Sequence, residues 1–465
     1  MKIEKRTTEF VPEEERHGNV RNLFSIWFSS NMQITTLVTG ALAIEFGLNL
    51  FWSIVAIIIG NLVGAVFMAS HSAQGPKLGI PQMIQSRAQF GVIGAVIPLI
   101  IVILMYIGFF AGSSVLGAQA ISSAFSLPLN WGIILLSTIT CAITLFGHDF
   151  IHRMERYFAI IFAIVFVFVT VEVFRLQLPS GSWDPTHFEL APFLLTISIV
   201  ATWQLTYAPY VADYSRYLPS DTPPSKTFGY TYAGTVVGTV WMMTLGVILT
   251  AAIPKFLDNS SAGLVKLLGP QFAIVMYMVI ILGVVGVNVL NLYGAFMSVT
   301  TTLETFTQIR ATSKARFWLV FSTAIVGTFL AVWGHGNFLE NFENLILLLS
   351  YFMVPWTAIN LIDYYLLRHG EYSIQDIFDL NGQYGKFNWI AIMSYLIAVI
   401  VEIPFVNTTI FVGPIAKALN GTDLAWIVGL IIPSILYYYP MKKKINLSFY
   451  NQVPEEEKSF LEFRE

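Results

Sequence analysis

The chain has 465 residues, 55% of them hydrophobic and 15% aromatic, with only 11% charged and a mean hydropathy of +0.68. A soluble globular protein carries about 25% charged residues, so a load less than half of that, spread between long apolar runs, excludes a soluble domain and a single-anchor protein. The net charge of −3 gives no sign of a nucleic-acid partner, and one cysteine, Cys141, excludes an internal disulfide or a cysteine metal cluster.

In chain order, residues 1–22 form a charged N-tail, too polar for the apolar core of a cleavable signal, so the first apolar segment is expected to stay as a span. A bilayer core needs about 20 apolar residues per helix. On that measure twelve spans are predicted, near 24–46, 50–69, 91–123, 130–147, 157–176, 192–213, 228–253, 271–305, 316–334, 341–367, 388–408 and 424–440. The third and eighth are long enough to tilt or to project beyond the hydrocarbon. With both termini on one side, 21 of the 25 Lys and Arg residues fall in the tails and the loops of that side. The positive-inside rule then makes that side cytoplasmic. The expectation is a multi-pass protein of the cell membrane with the lipid bilayer as its partner. Lys442, Lys443 and Lys444 read as topology determinants rather than a lipid-specific site.

Two spans look interrupted. The first carries Ser29-Ser30-Asn31-Met32-Gln33 inside an apolar run, and the sixth carries Thr202-Trp203-Gln204 followed by Pro209. Proline removes a helical donor and frees a carbonyl. Interrupted helices in corresponding positions mark the site of inverted-repeat transporters, and the first and sixth spans are five apart. A plain proline kink is the competing reading for the sixth. Ser30, Asn31 and Gln33 are candidates for the helix break and a cation site. In the eighth span Asn288 and Asn291 are three apart, on one helical face. An amide offers two donors and an acceptor, the pattern needed to read a heterocyclic edge. For Asn288 that reading stands beside simple bonding between helices. Trp203, Phe109 and Phe110 are candidates to stack on a flat ring.

Acids within spans are candidates for function. Glu45, Glu172, Glu304 and Asp363 fall near predicted ends, where water is in reach. Asp213 closes the sixth span and Glu402 lies deeper in the eleventh. Asp213 is a candidate gate or ion-pair residue beside Arg216 or Arg87, and either acid is a candidate carrier of a coupling proton. No metal-binding HExxH is present, and the seven histidines are placed at loops or span ends, so an intramembrane enzyme is disfavoured and no cofactor or metal is expected. No filter motif or charged ring suggests a channel.

Four stretches are more specific: ALAIEFGLN at 41–49, GPKLGIPQMIQSRAQFG at 75–91, YAPYVADYSRYLP at 207–219, and the pair NVLNLY at 288–293 with PWTAINLIDYYLLR at 355–368. In these the chain resembles nucleobase:cation symporter family one, within it the purine–cytosine permeases. The resemblance implies an all-α leucine-transporter-type fold. Residues 23–176 would form the first repeat, 177–368 the second, 369–440 two peripheral spans and 441–465 a C-tail. It also implies a substrate pocket between spans 1, 3, 6 and 8. Carried over by position, the stacking residue of span 3 falls at Phe109, where relatives often have Trp, and its polar partner at Ser113. The remaining contacts fall at Thr202, Trp203, Gln204 and Asn291. The resemblance departs at Val285 and Gly286, which stand where sodium-coupled relatives have two hydroxyl residues, so H+ is favoured over Na+ as the coupling cation. The expectation is import of a nucleobase, cytosine or purines, by cation symport with alternating access; allantoin, hydantoin, uracil or a thiamine precursor are the alternative substrates.

Overall fold

The computed structural model describes residues 9–145, 148–307 and 313–452, so the first part of the N-tail and the end of the C-tail lie outside the described residues. Each apolar segment predicted from the sequence contains helix. In order the helices are α1 (Asn22–Asn31), α2 (Ile34–Glu45), α3 (Leu50–Ser70), α4 (Gln74–Leu78), α5 (Gln82–Phe90), α6 (Val96–Phe125), α7 (Leu129–Thr144), α8 (His148–Val173), α9 (Leu190–Leu205), α10 (Ala208–Ser215), α11 (Pro224–Ala252), α12 (Ser260–Leu268), α13 (Ala273–Phe306), α14 (Ser313–Gly334), α15 (Phe338–Ile362), α16 (Ile374–Phe378), α17 (Trp389–Glu402), α18 (Pro414–Ala418) and α19 (Ala425–Gln452). Among the described residues the extended structure amounts to one isolated bridge, Asn407 to Val412. A bilayer leaves the backbone no water to bond, so long helices that satisfy themselves are what such a sequence must form.

Large apolar side chains are exposed along the helices, and many polar side chains are buried among the apolar core. Ile160, Ile164, Phe174, Phe329, Trp333 and Ile400 are exposed, while Asn61, Gln74, Gln82, Gln89 and Asn360 are fully buried. That inversion suits a hydrocarbon surround, and the helices supply it by length and composition. Long apolar helical stretches include Leu50–Leu78, Val96–Phe125, Leu190–Ser215 and Pro224–Ala252, with shorter ones at Ile34–Glu45, Leu129–Thr144, Ile160–Val173 and Trp389–Phe405.

Three packed groups arise. α11 lies along α1 and α2, and α3 along α9; α13 lies along α6, with α7 and α14 beside them; α15, α17 and α19 form the third. The α2–α11 contact is backbone to backbone. A side chain at Gly40 would strike Met243, and one at Gly246 would strike the Leu37 carbonyl. Helices in lipid gain association from such close approach because apolar side chains have nothing to escape from.

Between α3 and α6 the chain doubles back through α4 and α5, turning at Gly79 with φ +65°, a value that favours glycine. The N-terminal segment closes over this turn. Val11 N–H donates to the Gly79 carbonyl at 2.8 Å, and buried Arg16 donates to the Pro76 carbonyl at 2.6 Å. Farther on, Gly18 N–H donates to the Tyr217 carbonyl at 2.9 Å, so one segment ties α4 to the chain just beyond α10.

Candidate functional site

Both expected interruptions are present, and they differ. Between α1 and α2, Gln33 is extended (φ −142°, ψ 160°), so the helix stops and restarts. Between α9 and α10 the backbone stays near helical values at Thr206 and Tyr207, with Pro209 inside the first turn of α10. The carbonyls of the first break are engaged. Ser29 O accepts from Met32 N–H, Asn31 O from Gln33 N–H, and Ser30 O from Gln33 Nε2 at 2.8 Å and from the Tyr207 hydroxyl at 3.3 Å.

The breaks face each other across a cavity. Its walls come from α1 and the first break, α6, α9, α10 and α13. Phe109, Ser113, Trp203, Asn291, Ser30 and Gln33, all singled out from the sequence, line it. Phe109 and Trp203 meet edge to face, centroids 5.7 Å apart at 88°. The Trp203 indole N–H donates to Asn31 Oδ1 at 2.9 Å, so the residue of one break fixes the ring of the other. Asn291 Oδ1 accepts from the Tyr210 hydroxyl at 2.7 Å. Ser113 is within 3.2 Å of the Thr35 hydroxyl.

Four residues chosen from the sequence for the substrate lie elsewhere. Gln204 donates to Asn61 Oδ1 at 2.7 Å and to Thr239 at 3.1 Å, and accepts from Thr235 at 2.6 Å. Consecutive helical side chains point about 100° apart, so with Trp203 on the cavity Gln204 faces α3 and α11 instead. Thr202 bonds back to the Ser198 carbonyl of its own helix. Asn288, a turn from Asn291, donates to the Phe110 carbonyl at 3.2 Å and to Ser114 at 2.9 Å, the bonding between helices weighed for it above. Phe110 is buried and does not line the cavity. Val285 and Gly286 sit within α13 and bring no side-chain oxygen.

Sequence reasoning missed Trp27, Tyr207, Tyr210 and Tyr214, which build most of the aromatic wall. Trp27 stands edge-on to both Tyr207 and Tyr214. In a chain with 20 Tyr and 37 Phe no composition signal separates these from their fellows. Two polar atoms carried by the lining, Trp27 Nε1 and Gln33 Oε1, are buried and have no partner.

Asp213 accepts the Gln82 backbone N–H at 2.8 Å and lines a smaller cavity with Arg216 that shares Tyr210, Tyr214 and Leu290 with the main one. Glu402 is fully buried at the end of α17, against Gly429 of α19, and neither oxygen has a partner. It stands in the peripheral group and does not line the main cavity. One expectation about water access is corrected. Asp363 is fully buried, bonded by Tyr437, Tyr372 and Gln89 and paired with Arg368. His71 follows the end of α3, where a span end was expected, and is fully buried in a turn packed against α10 and α11.

Comparison with known proteins decides the family. A family profile described as "Permease for cytosine/purines, uracil, thiamine, allantoin" matches residues 10–429. The chain belongs to the cytosine/purine permease family. This permease is 54% identical to YxlA of Bacillus subtilis, which is named as a purine-cytosine permease, over 96% of this chain and 97% of that one. It is 26% identical to the purine-cytosine permease fcyB of Emericella nidulans, over 94% of this chain and 88% of that one. Among solved structures, the nucleobase-cation-symport-1 transporter Mhp1, closed on bromovinylhydantoin, superposes with a TM-score of 0.77 at 19% identity, over 94% of this chain and 95% of Mhp1. The fold is therefore that of an all-α membrane transporter of the leucine-transporter type, and the relatives are permeases, not enzymes.

Proposed function

We propose that this permease imports a nucleobase, cytosine or a purine, by symport with protons, binding it in the cavity between the two helix breaks. The observation that carries the substrate class is the pairing of aromatic walls with two buried, unpartnered polar atoms, the donor Trp27 Nε1 and the acceptor Gln33 Oε1. Burying such atoms without partners costs about 1–3 kcal/mol each, so a ligand that presents both an acceptor and a donor gains by entering. A nucleobase edge alternates these groups, and its faces are suited to Trp203 and Phe109. Asn291, with its amide at the same wall, would add a further contact.

Proton coupling is supported by what the first break and α13 offer a metal cation. The carbonyls of Ser29, Ser30 and Asn31 already accept hydrogen bonds. Sodium needs several oxygen ligands, and Val285 and Gly286 add no side-chain oxygen. Asp213, beside the inner extension of the cavity, is the carboxylate best placed to gate it. The arrangement of Lys and Arg supports a cytoplasmic side for both termini. Alternating access would then carry the base between the outer and the cytoplasmic face.

The test is uptake of labelled cytosine and adenine into proteoliposomes under an imposed proton or sodium gradient, with unlabelled uracil, allantoin and hydantoin as competitors. Proton-driven uptake of either base, competed weakly by the hydantoin group, is the expected result. Sodium-driven uptake would overturn the coupling, and preferential competition by hydantoin or allantoin would overturn the substrate.

A further inference from the structure

A row of carboxamides runs through the interior from His71 to Asp363. Gln82 Nε2 lies 3.2 Å from His71 Nδ1 and donates to Gln74 Oε1 at 2.6 Å. Gln74 Nε2 donates to Asn360 Oδ1 at 2.7 Å, Asn360 Nδ2 to Gln89 Oε1 at 3.4 Å, and Gln89 Nε2 to Asp363 Oδ2 at 3.0 Å. All six side chains are fully buried. Gln74, Asn360 and Gln89 point the same way, oxygen toward His71 and nitrogen toward Asp363. An amide fits a bonded row in either sense, and the carboxylate at one end selects this one.

The selection dictates the state of the imidazole at the other end. An amide nitrogen only donates, so His71 Nδ1 must accept and the ring hydrogen sits on Nε2. That nitrogen has no partner, and neither do Gln82 Oε1 and Gln85 Nε2. The ring itself is held flat on Trp356, centroids 5.1 Å apart and planes 1° from parallel. A proton on Nδ1 would set an N–H against the N–H of Gln82. Turning Gln82 to present its idle Oε1 would place that oxygen against Gln74 Oε1, and the reversal would run through Asn360 and Gln89 to an oxygen facing Asp363. Gln82 Nε2 also lies 3.4 Å from Gln85 Oε1, so a proton on His71 Nδ1 forces the amides at its end of the row to share their bonds anew, or turns the row against the ionised Asp363.

The charged groups on the elements around the His71 turn are few. α10 brings Asp213 and, at its end, Arg216; α11 brings Lys226, α4 Lys77, α5 Arg87, and α15 leads into Asp363, while α3 brings none. Lys77 is paired with Glu371 at 2.9 Å, and Arg87 donates to the Thr301 carbonyl at 3.1 Å. Asp213 is the acid tied to the same structure, since it accepts the backbone N–H of Gln82.

We infer that His71 is the binding site of the coupling proton and that the amide row reads its charge. This rests on the proton-coupled reading above. Proton arrival redistributes the bonds joining α4 and α5 to α15, and Gln82 passes the strain to Asp213 at the end of the substrate path. Proton release restores the row.

The test uses the full chain in proteoliposomes and two variants. His71→Gln keeps an amide for Gln82 and removes the titrating group. The ratio of proton-driven accumulation to gradient-free counterflow should fall on the order of ten-fold. Gln89→Leu cuts the row short of Asp363, so His71 no longer has to stay an acceptor. The pH of half-maximal proton-driven uptake should then rise by about one unit, the equivalent of one hydrogen bond. If His71→Gln fails to fold, the Gln89→Leu shift still decides. An unchanged ratio in His71→Gln, or an unchanged midpoint in Gln89→Leu, overturns the inference while leaving proton coupling standing. Uptake driven by sodium alone in the wild type overturns both.

Discussion

Two buried polar regions of this permease lie within the same helical body and are built on opposite terms. Around Asp363 every acceptor is used: Tyr437 and Tyr372 donate at 2.8 Å, Gln89 at 3.0 Å, and the Arg368 guanidinium pairs at 3.2 Å. Around the cavity, Trp27 Nε1 and Gln33 Oε1 are buried with nothing to bond. A saturated node holds helices together; an unsaturated wall leaves hydrogen-bonding groups that a ligand could use. The difference teaches that burial of polar atoms alone does not mark a binding site; unpartnered polar atoms carried by the lining of a cavity are the stronger sign.

The largest effect that can test this contrast is expected at the node. Asp363→Ala would leave the Arg368 charge and three donors without an acceptor, which for a buried pair costs about 3–5 kcal/mol. Thermal unfolding of the detergent-solubilised protein should show a fall of many degrees and low recovery from the membrane. A variant that unfolds like wild type would mean that the node is dispensable and the contrast is wrong.

The second test acts on the wall. Gln33→Leu removes the unpartnered Oε1 and also the Nε2 bond to the Ser30 carbonyl. Because the lost acceptor is idle without ligand and the Ser30 carbonyl keeps the Tyr207 hydroxyl, the unfolding temperature should move little. Substrate affinity should weaken about ten-fold, since one hydrogen bond to a buried group is worth about 1–2 kcal/mol. Loss of stability without loss of affinity would place Gln33 with the scaffold instead.

How far the sequence could show these regions follows from what periodicity encodes. Helices and both interruptions were legible, because hydropathy reports the bilayer and a polar run or a proline within it reports a break. Phe109, Trp203 and Asn291 were legible too as cavity-lining positions. Gln204 was not, because its neighbour Trp203 takes the cavity and a helix turns the next residue about 100° away. Asp363 was read as a residue near water, since a span end usually is. No pattern along the chain announced that α5 would bring Gln89 and α19 Tyr437 to it. Tertiary closure decided its burial.

The smallest effect lies where a polar contact is neither saturated inside nor idle, at the N-terminal segment. Glu13 accepts the Ser220 backbone N–H at 2.9 Å and pairs with Arg16 at 3.2 Å, its own side chain remaining about half exposed. The bond from Ser220, helped by the Arg16 charge, holds its carboxyl below the usual carboxylate range. A lowered value in the folded state means that the charge stabilises the docked segment at every pH above the ordinary carboxylate range. The contribution fades as pH falls through the lowered value. Glu13→Gln keeps an acceptor for Ser220 and loses the charge. Solvent screening keeps such an exposed pair weak, so amide exchange across residues 9–18 should quicken by only about two- to three-fold near neutral pH. Compared at matched acid pH, below the range where Glu13 ionises, wild type and variant should exchange alike. A difference that persists in acid would mean that the carboxylate charge is not what docks the segment, and that Arg16, through its bonds to the Pro76 and Val11 carbonyls, holds it alone.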